Sequence, residues 1–310
     1  MELSILLAEQ IMALFLMGLV GYVAVKSGKF SAKDSKIISN VVVYICSPFV
    51  VIDAFQIDFT AEKLRGLLLA FAASALVHAL MIGGGKLLGK PLGLNGIEKA
   101  SVEYTNSGYL IIPLVSAVLG QEWVFYTTAF IIVQTVLVWT HGQAVICGRG
   151  SVDVKKIFMN PNVIAIGIGL VLFALKIHFP VPIASCISAF GDAIGSIRML
   201  VVGMLVGEVD LLWVFRQKRP YLICALRLIL FPVIAVFLFA ITGMTGMHAE
   251  AEYILLIVLL ATSAPSAVMV TQLAQIYDRD AKYASVINIM SVIFSIVTMP
   301  LIVLLYESLI

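Results

Sequence analysis

The sequence predicts an all-α membrane protein of ten transmembrane helices. They form two five-helix repeats, the second inverted relative to the first, with helices four and nine broken and crossed. Three observations carry this. The 310 residues are 61% hydrophobic and 12% charged, with a mean hydropathy of +1.08, whereas a soluble domain carries about 25% charged residues. The apolar residues gather into ten segments, each near the roughly 20 residues that cross a bilayer. Finally, polar and helix-breaking residues interrupt the middle of the fourth and the ninth segment.

The first segment, 5–26, follows Met1-Glu2-Leu3-Ser4. Without a positive n-region or a small-residue cleavage site, it reads as a retained helix and not a signal peptide. Segments 36–56 and 65–85 follow, and His78 is the one ionisable residue of 66–84. The fourth segment, 98–119, contains Thr105-Asn106-Ser107-Gly108-Tyr109 and then Pro113. A spanning helix bonds its backbone polar groups internally, so Asn, Ser and Gly in mid-span mark a local break, tolerated only against protein or a water-filled cavity. The short connection Gly120-Gln121 makes the fifth segment, 122–146, the antiparallel neighbour of the fourth.

After a linker at 147–160 come 161–179, 182–207 and 220–243. The ninth segment, 252–277, is interrupted by Thr262-Ser263-Ala264-Pro265-Ser266-Ala267, and 281–306 closes the series. The repeats are therefore 1–146 and 161–310. Five spans per half is an odd number, so structural repeats must enter the membrane in opposite directions. Matching interruptions in the two halves of a membrane protein point to a transporter's binding site.

Of the twenty Lys and Arg residues, fifteen fall in the odd-numbered loops and three (Lys63, Arg65, Lys176) in the even ones. The positive-inside rule then puts the odd loops, including 147–160, in the cytoplasm and both termini outside. No basic face is available to neutralise phosphates, which excludes nucleic acid as a partner. Cys46, Cys147, Cys186 and Cys224 are far apart and read as buried free thiols. His78, His141 and His248 are dispersed, and no metal site is expected. Facing aspartates, an Asp-rich magnesium motif and His-Glu-x-x-His are all missing from the sequence, so an intramembrane enzyme is not indicated.

Two broken helices that cross at mid-depth bring four helix ends together. The N-terminal ends carry about half a positive charge each and free N–H donors, which suits a carboxylate or another anion. Arg198, flanked by Ile197 and Met199 beyond the middle of the seventh segment, is costly there unless paired or hydrated. Its guanidinium could hold a second carboxylate bidentately, or it could snorkel to the cytoplasmic interface or pair with Asp192 or Glu208. Glu103, one turn before Asn106, is the candidate proton carrier, since burial favours its protonated form. Asp53 and Asp192 occupy matching positions and read as outer-mouth carboxylates. Arg227, before Leu228-Ile229-Leu230-Phe231-Pro232, is expected to snorkel to the cytoplasmic interface.

Several stretches resemble the auxin efflux carrier family. They are Ala100–Gly120 (ASVEYTNSGYLIIPLVSAVLG), the run from Leu260 to Pro300, VVYICSPFVVIDAF between Val42 and Phe55, Gln134 within IIVQTVLVW, and DAIGSIRMLVVG from Asp192 to Gly203. The resemblance covers essentially the whole chain. It implies the inverted-repeat fold shared with sodium/proton antiporters and bile acid symporters. A scaffold of 1–56 plus 161–207 would also form a homodimer, and a transport domain of 65–146 plus 220–306 would move past it like an elevator.

The substrates it implies are organic anions, auxin in plants and malonate, malate or similar mono- or dicarboxylates in bacteria, here across an inner membrane. Carried over by position, the crossings fall at Thr105-Asn106 and Pro265-Ser266. Asn106, Ser107, Ser266 and Gln134 would then hold the carboxylate. Thr105 stands where plant carriers often have Pro, so a milder break is expected. The acidic and basic pair of the plant carriers' third span has no counterpart here, which argues against auxin itself.

No cofactor is implied beyond a coupling proton or sodium ion. A sodium-coupled symporter of the bile acid type is the rival reading, with oxygens of Glu103, Asn106, Ser107, Thr262 and Ser263 as possible ligands. A membrane sensor that binds an anion without moving it is a further alternative.

Overall fold

The computed structural model describes residues 2–148 and 154–310. Arg149 and the middle of the 147–160 linker lie outside the described residues. Among the described residues the chain is helical throughout, apart from turns and one isolated bridge pair. The helices are α1 (Glu2–Lys26), α2 (Ser35–Asp53), α3 (Ala61–Gly89), α4 (Gly96–Glu103), α5 (Ser107–Val118), α6 (Gln121–Cys147) and the short α7 (Val154–Phe158). They continue with α8 (Pro161–Leu175), α9 (Val181–Gly207), α10 (Leu211–Arg216), α11 (Arg219–Thr242), α12 (Ala251–Ser263), α13 (Val268–Ile276) and α14 (Ala281–Leu309).

Seven of these, α1, α2, α3, α6, α9, α11 and α14, are long and apolar enough to cross a membrane. That is fewer than the ten segments of the sequence reading for two reasons. Segments 98–119 and 252–277 are each split into a pair of half-helices, and α8 has only 15 residues.

Capping side chains set several helix starts. Asn95 and Glu98 form a reciprocal box at the head of α4, each side chain accepting the other's backbone N–H at 2.9 Å. Asn160 accepts from the Asn162 N–H at 2.9 Å before Pro161, whose missing N–H is harmless at the first helical position. Inside helices proline acts differently. It removes an N–H and crowds the carbonyl four residues back, Tyr44 for Pro48 and Leu228 for Pro232. In both places the preceding turn widens to the π form, at Val42–Cys46 in α2 and Leu226–Leu230 in α11.

Two groups of helices can be distinguished by packing. In one, α1 lies along α9, and α2 packs on α8 and α9. The α1/α9 contact is backbone to backbone: a Cβ at Gly203 would stand 1.7 Å from the Gly18 carbonyl oxygen, and one at Gly21 would stand 2.1 Å from that of Leu200. Small residues that let helix backbones touch are the membrane substitute for hydrophobic association. In the other group, α3, α6, α11 and α14 pack around the half-helices α4, α5, α12 and α13, and most of α12 is fully buried.

Polar clusters tie this second group at both ends. At one end the Glu98 carboxylate accepts from Arg219 Nε at 2.8 Å and from the Tyr283 hydroxyl at 2.7 Å, while Arg279 donates to the Cys147 carbonyl at 2.8 Å. At the other, Lys63 approaches Glu250 at 3.7 Å, while Gln121 donates to Asp53 of α2 at 3.2 Å and so links the two groups. Of the cysteines, Cys46 and Cys224 are buried as expected, but Cys147 is half-buried and Cys186 is exposed, because its side of α9 faces outward.

Candidate functional site

Helix α4 stops at Glu103 and α5 starts at Ser107, while α12 stops at Ser263 and α13 starts at Val268. The two short connections meet as an antiparallel bridge of Thr105 with Ser266. Asn106 N–H donates to the Pro265 carbonyl at 2.8 Å, and Ala267 N–H donates to the Tyr104 carbonyl at 3.0 Å. In such a pair the N–H and C=O of the two opposed residues point away from each other. Without water they need other partners.

Side chains of two neighbouring helices provide them. Gln134 of α6 accepts from the Thr105 N–H at 2.9 Å and donates to the Thr105 carbonyl at 2.8 Å. On the other face, Ser291 of α14 accepts from the Ser266 N–H at 3.0 Å, and Asn288 donates to the Ser266 carbonyl at 2.6 Å. The break at Thr105 is thus complete even without a proline, contrary to the milder interruption expected there.

Each break also frees carbonyls of the preceding turn, among them those of Val102 and Thr262. Asn106 N–H, the helical partner of the Val102 carbonyl, goes to Pro265 instead, and Ser266 N–H, the partner of the Thr262 carbonyl, goes to Ser291. Both orphans are taken by Arg227. Its Nη1 lies 3.4 Å from the Val102 oxygen and 3.1 Å from Met81 Sδ, and its Nη2 lies 2.7 Å from the Thr262 oxygen and 3.1 Å from that of Ala264. Arg227 is 0% exposed. The expectation that it snorkels to an interface is therefore wrong. The negative ends of two half-helices hold it in the interior, a pull that hydropathy does not register.

The opposite, N-terminal ends open on a cavity of about 760 Å³. Thr105, Asn106, Ser107, Ala267, Val268 and Met269 line it from the crossing. Gln134 and Trp139 of α6, Ser39 and Asn40 of α2, Lys155, Asn162 and Gln272 complete the wall. The first N–H groups of both half-helices have no carbonyl within their own helix, and Asn106 places an amide beside them. Donors and partial positive charge therefore gather at the crossing end of a cavity whose remaining wall is more apolar than polar, although the Ser107 N–H already donates to Thr105 Oγ1 at 3.2 Å.

Of the residues singled out in the sequence, Asn106, Ser107 and Gln134 are brought together on this cavity, although Gln134 spends its amide on Thr105. Pro265 and Ser266 lie on the crossing but behind the lining. Arg198 is buried in α9 and does not line the cavity. Its Nη2 donates to Ser47 Oγ at 2.7 Å, and Ser47 donates to Oδ1 of the lining residue Asn162 at 2.8 Å.

Thr262 and Ser263 donate their hydroxyls back to the Val258 and Leu259 carbonyls, at 2.7 and 2.8 Å. Glu103 is buried behind the crossing, 3.5 Å from Nδ1 of His141, which also sits 2.9 Å from the Tyr104 hydroxyl. A Cβ at Gly85 would stand 2.4 Å from Glu103 Oε1, so a glycine makes room for the carboxylate.

Sequence reasoning missed Asn288, Ser291, Asn162 and the link of His141 to Glu103, and it gave Arg227 the wrong role. Asn288 and Ser291 had a signal. They are polar and three residues apart on one face of the last apolar segment. The partners of Arg227 and His141 had none, because they are remote in sequence.

A family described as membrane transport protein matches the chain over residues 6–152 and 149–303. No curated protein matches it.

Proposed function

The chain belongs to the membrane transport protein family, the family of the auxin efflux carriers, and from that premise we propose that it is a secondary transporter of small organic anions. The family is one of multi-pass membrane transporters and not of enzymes. The observation that carries the substrate class is the crossing: two half-helix N-termini and the Asn106 amide face one cavity of about 760 Å³. Fixed N–H donors with a favourable dipole recognise a carboxylate without needing a metal. A second polar wall, with Asn162 backed by Ser47 and Arg198, suits a solute that carries a second carboxylate.

In this reading the seven long helices, α8 and the two interrupted pairs make ten crossings. The halves 1–146 and 161–310 form inverted repeats in a bacterial-type inner membrane with both termini outside. The parallel roles of Gln134 in α6 and of Asn288 and Ser291 in α14 support the repeat. The cavity is bordered by Ser39, Asn40 and Lys155, next to loops that the positive-inside rule assigns to the cytoplasm. It would therefore open inward. At the other end, Gln121 on Asp53 would be part of a closed outer gate.

Helices α1, α2, α8 and α9 would be the fixed scaffold and the dimer-forming surface. The remainder would move as an elevator, with the anion at the crossing. Glu103 and His141 are the proposed proton-coupling pair. The sodium-coupled rival finds little support, since the hydroxyls of Thr262 and Ser263 are turned back into their own helix.

The test is uptake by proteoliposomes of radiolabelled malonate, malate and monocarboxylates, with competition by unlabelled acids. Saturable uptake is expected for at least one small carboxylate. A purified, folded protein that neither carries nor is thermally stabilised by any of them would exclude this function.

A further inference from the structure

A broken helix in a transporter offers two kinds of ends. N-terminal ends attract anions, while C-terminal ends and unwound carbonyls are where coupling cations are coordinated. In this chain a side-chain cation already occupies the space between the C-terminal ends. The carbonyls orphaned by the two breaks, Val102 of α4 and Thr262 of α12, together with Ala264 in the second connection, all accept from the guanidinium of Arg227. Met81 Sδ completes its surroundings. Among the described residues, no carboxylate is hydrogen-bonded to Arg227. Its charge is balanced by carbonyl dipoles, as that of a bound metal ion would be.

We propose that Arg227 is a built-in cation. It stands where a coupling sodium ion would otherwise bind between the C-terminal ends of α4 and α12, so that the transport cycle takes no sodium at the crossing. An arginine suits this role because it stays charged when buried and its donors form a planar fork. One guanidinium reaches both half-helices and joins the breaks without loading or unloading an ion. The side chain comes from the π-form turn Leu226–Leu230 of α11, the turn widened ahead of Pro232. The distortion of that helix and the capping of the crossing are thus one device. Arg227 is a positioning residue: it holds the crossing and does not touch the cavity.

The inference rests on the transporter reading for its flux readout, but its thermal readout does not. Purified full-length protein is melted in sodium chloride and in choline chloride at equal ionic strength, without substrate. Wild type is expected to show the same midpoint in both. A saturable, sodium-specific rise would overturn the proposal.

In proteoliposomes, wild-type malonate uptake is expected to be unchanged when sodium is replaced by choline. Arg227→Met is expected to abolish uptake. Arg227→Lys, which keeps a cation of shorter reach, is expected to retain part of it and to remain sodium-independent. Sodium-dependent uptake by the wild type, or undiminished uptake by Arg227→Met, would refute the assignment. If Arg227→Met does not fold, the lysine variant and the wild-type comparisons still decide. If no carboxylate is carried in either salt, the transport reading fails while the melting comparison still tests the cation.

Discussion

Gln134 does with one side chain what a neighbouring strand would do with its backbone, taking both the N–H and the carbonyl of Thr105. In Gln134→Leu both groups lose their partners in a site shielded from water. Each such loss costs about 1–3 kcal/mol. A clearly lower melting midpoint and strongly reduced uptake are expected, and an unchanged midpoint would show that water replaces the amide. Asn288→Leu, which strips the Ser266 carbonyl of its donor, is expected to lower the midpoint less, since Ser291 still holds the N–H.

Arg198 reaches the cavity wall only through Ser47 and Asn162, and in the proposed function it acts on the substrate through them. Arg198→Met and Asn162→Ala are both expected to weaken dicarboxylate binding by about tenfold, or 1.4 kcal/mol, with a smaller effect on monocarboxylates. Competition assays with matched mono- and diacids measure this. Equal losses for both classes would remove Arg198 from recognition.

The elements were legible in proportion to how local their causes are. Hydropathy located the apolar segments to within a few residues, and Asn106, Ser107, Pro265 and Ser266 marked both interruptions, because a chain inside a bilayer cannot leave its backbone unbonded without showing polar residues nearby. What holds the interruptions was less legible. Arg227 meets carbonyls more than thirty residues away in sequence, and a single arginine in an apolar stretch looks the same whether it caps a helix or reaches for an interface.

The α1/α9 seam shows the same limit. Gly18, Gly21, Gly203 and Gly207 are visible as small residues, but their mutual approach appears only in the packing. Gly203→Leu places side-chain atoms where the Gly18 carbonyl stands. Overpacking typically costs about 1–3 kcal/mol, and this clash is with backbone, so a loss at or beyond that range is expected. Thermal melting in detergent measures it, and wild-type stability of the variant would mean that the two helices part without cost.

For the whole molecule, the proposed elevator requires the helices around the crossing to carry the site past α1, α2, α8 and α9, which pack chiefly on one another but also touch α5 and α14. Coupling is tested at this scale. Glu103 and its neighbour His141 lie behind the crossing, so a proton bound there would travel with the substrate. Wild-type uptake is expected to respond to an imposed pH gradient, and Glu103→Gln is expected to erase that response while leaving the fold intact. An unaltered response would place the proton elsewhere or remove it from the cycle.

The crossing itself is tested most directly by charge at one position. Asn106→Asp keeps the size of the side chain but sets a carboxylate beside the two half-helix N-termini, where it would occupy the place proposed for the substrate. Malonate uptake into proteoliposomes, measured beside the wild type with melting curves to confirm folding, should be abolished in this variant. Uptake by folded Asn106→Asp at the wild-type rate and affinity would be incompatible with anion binding at the crossing.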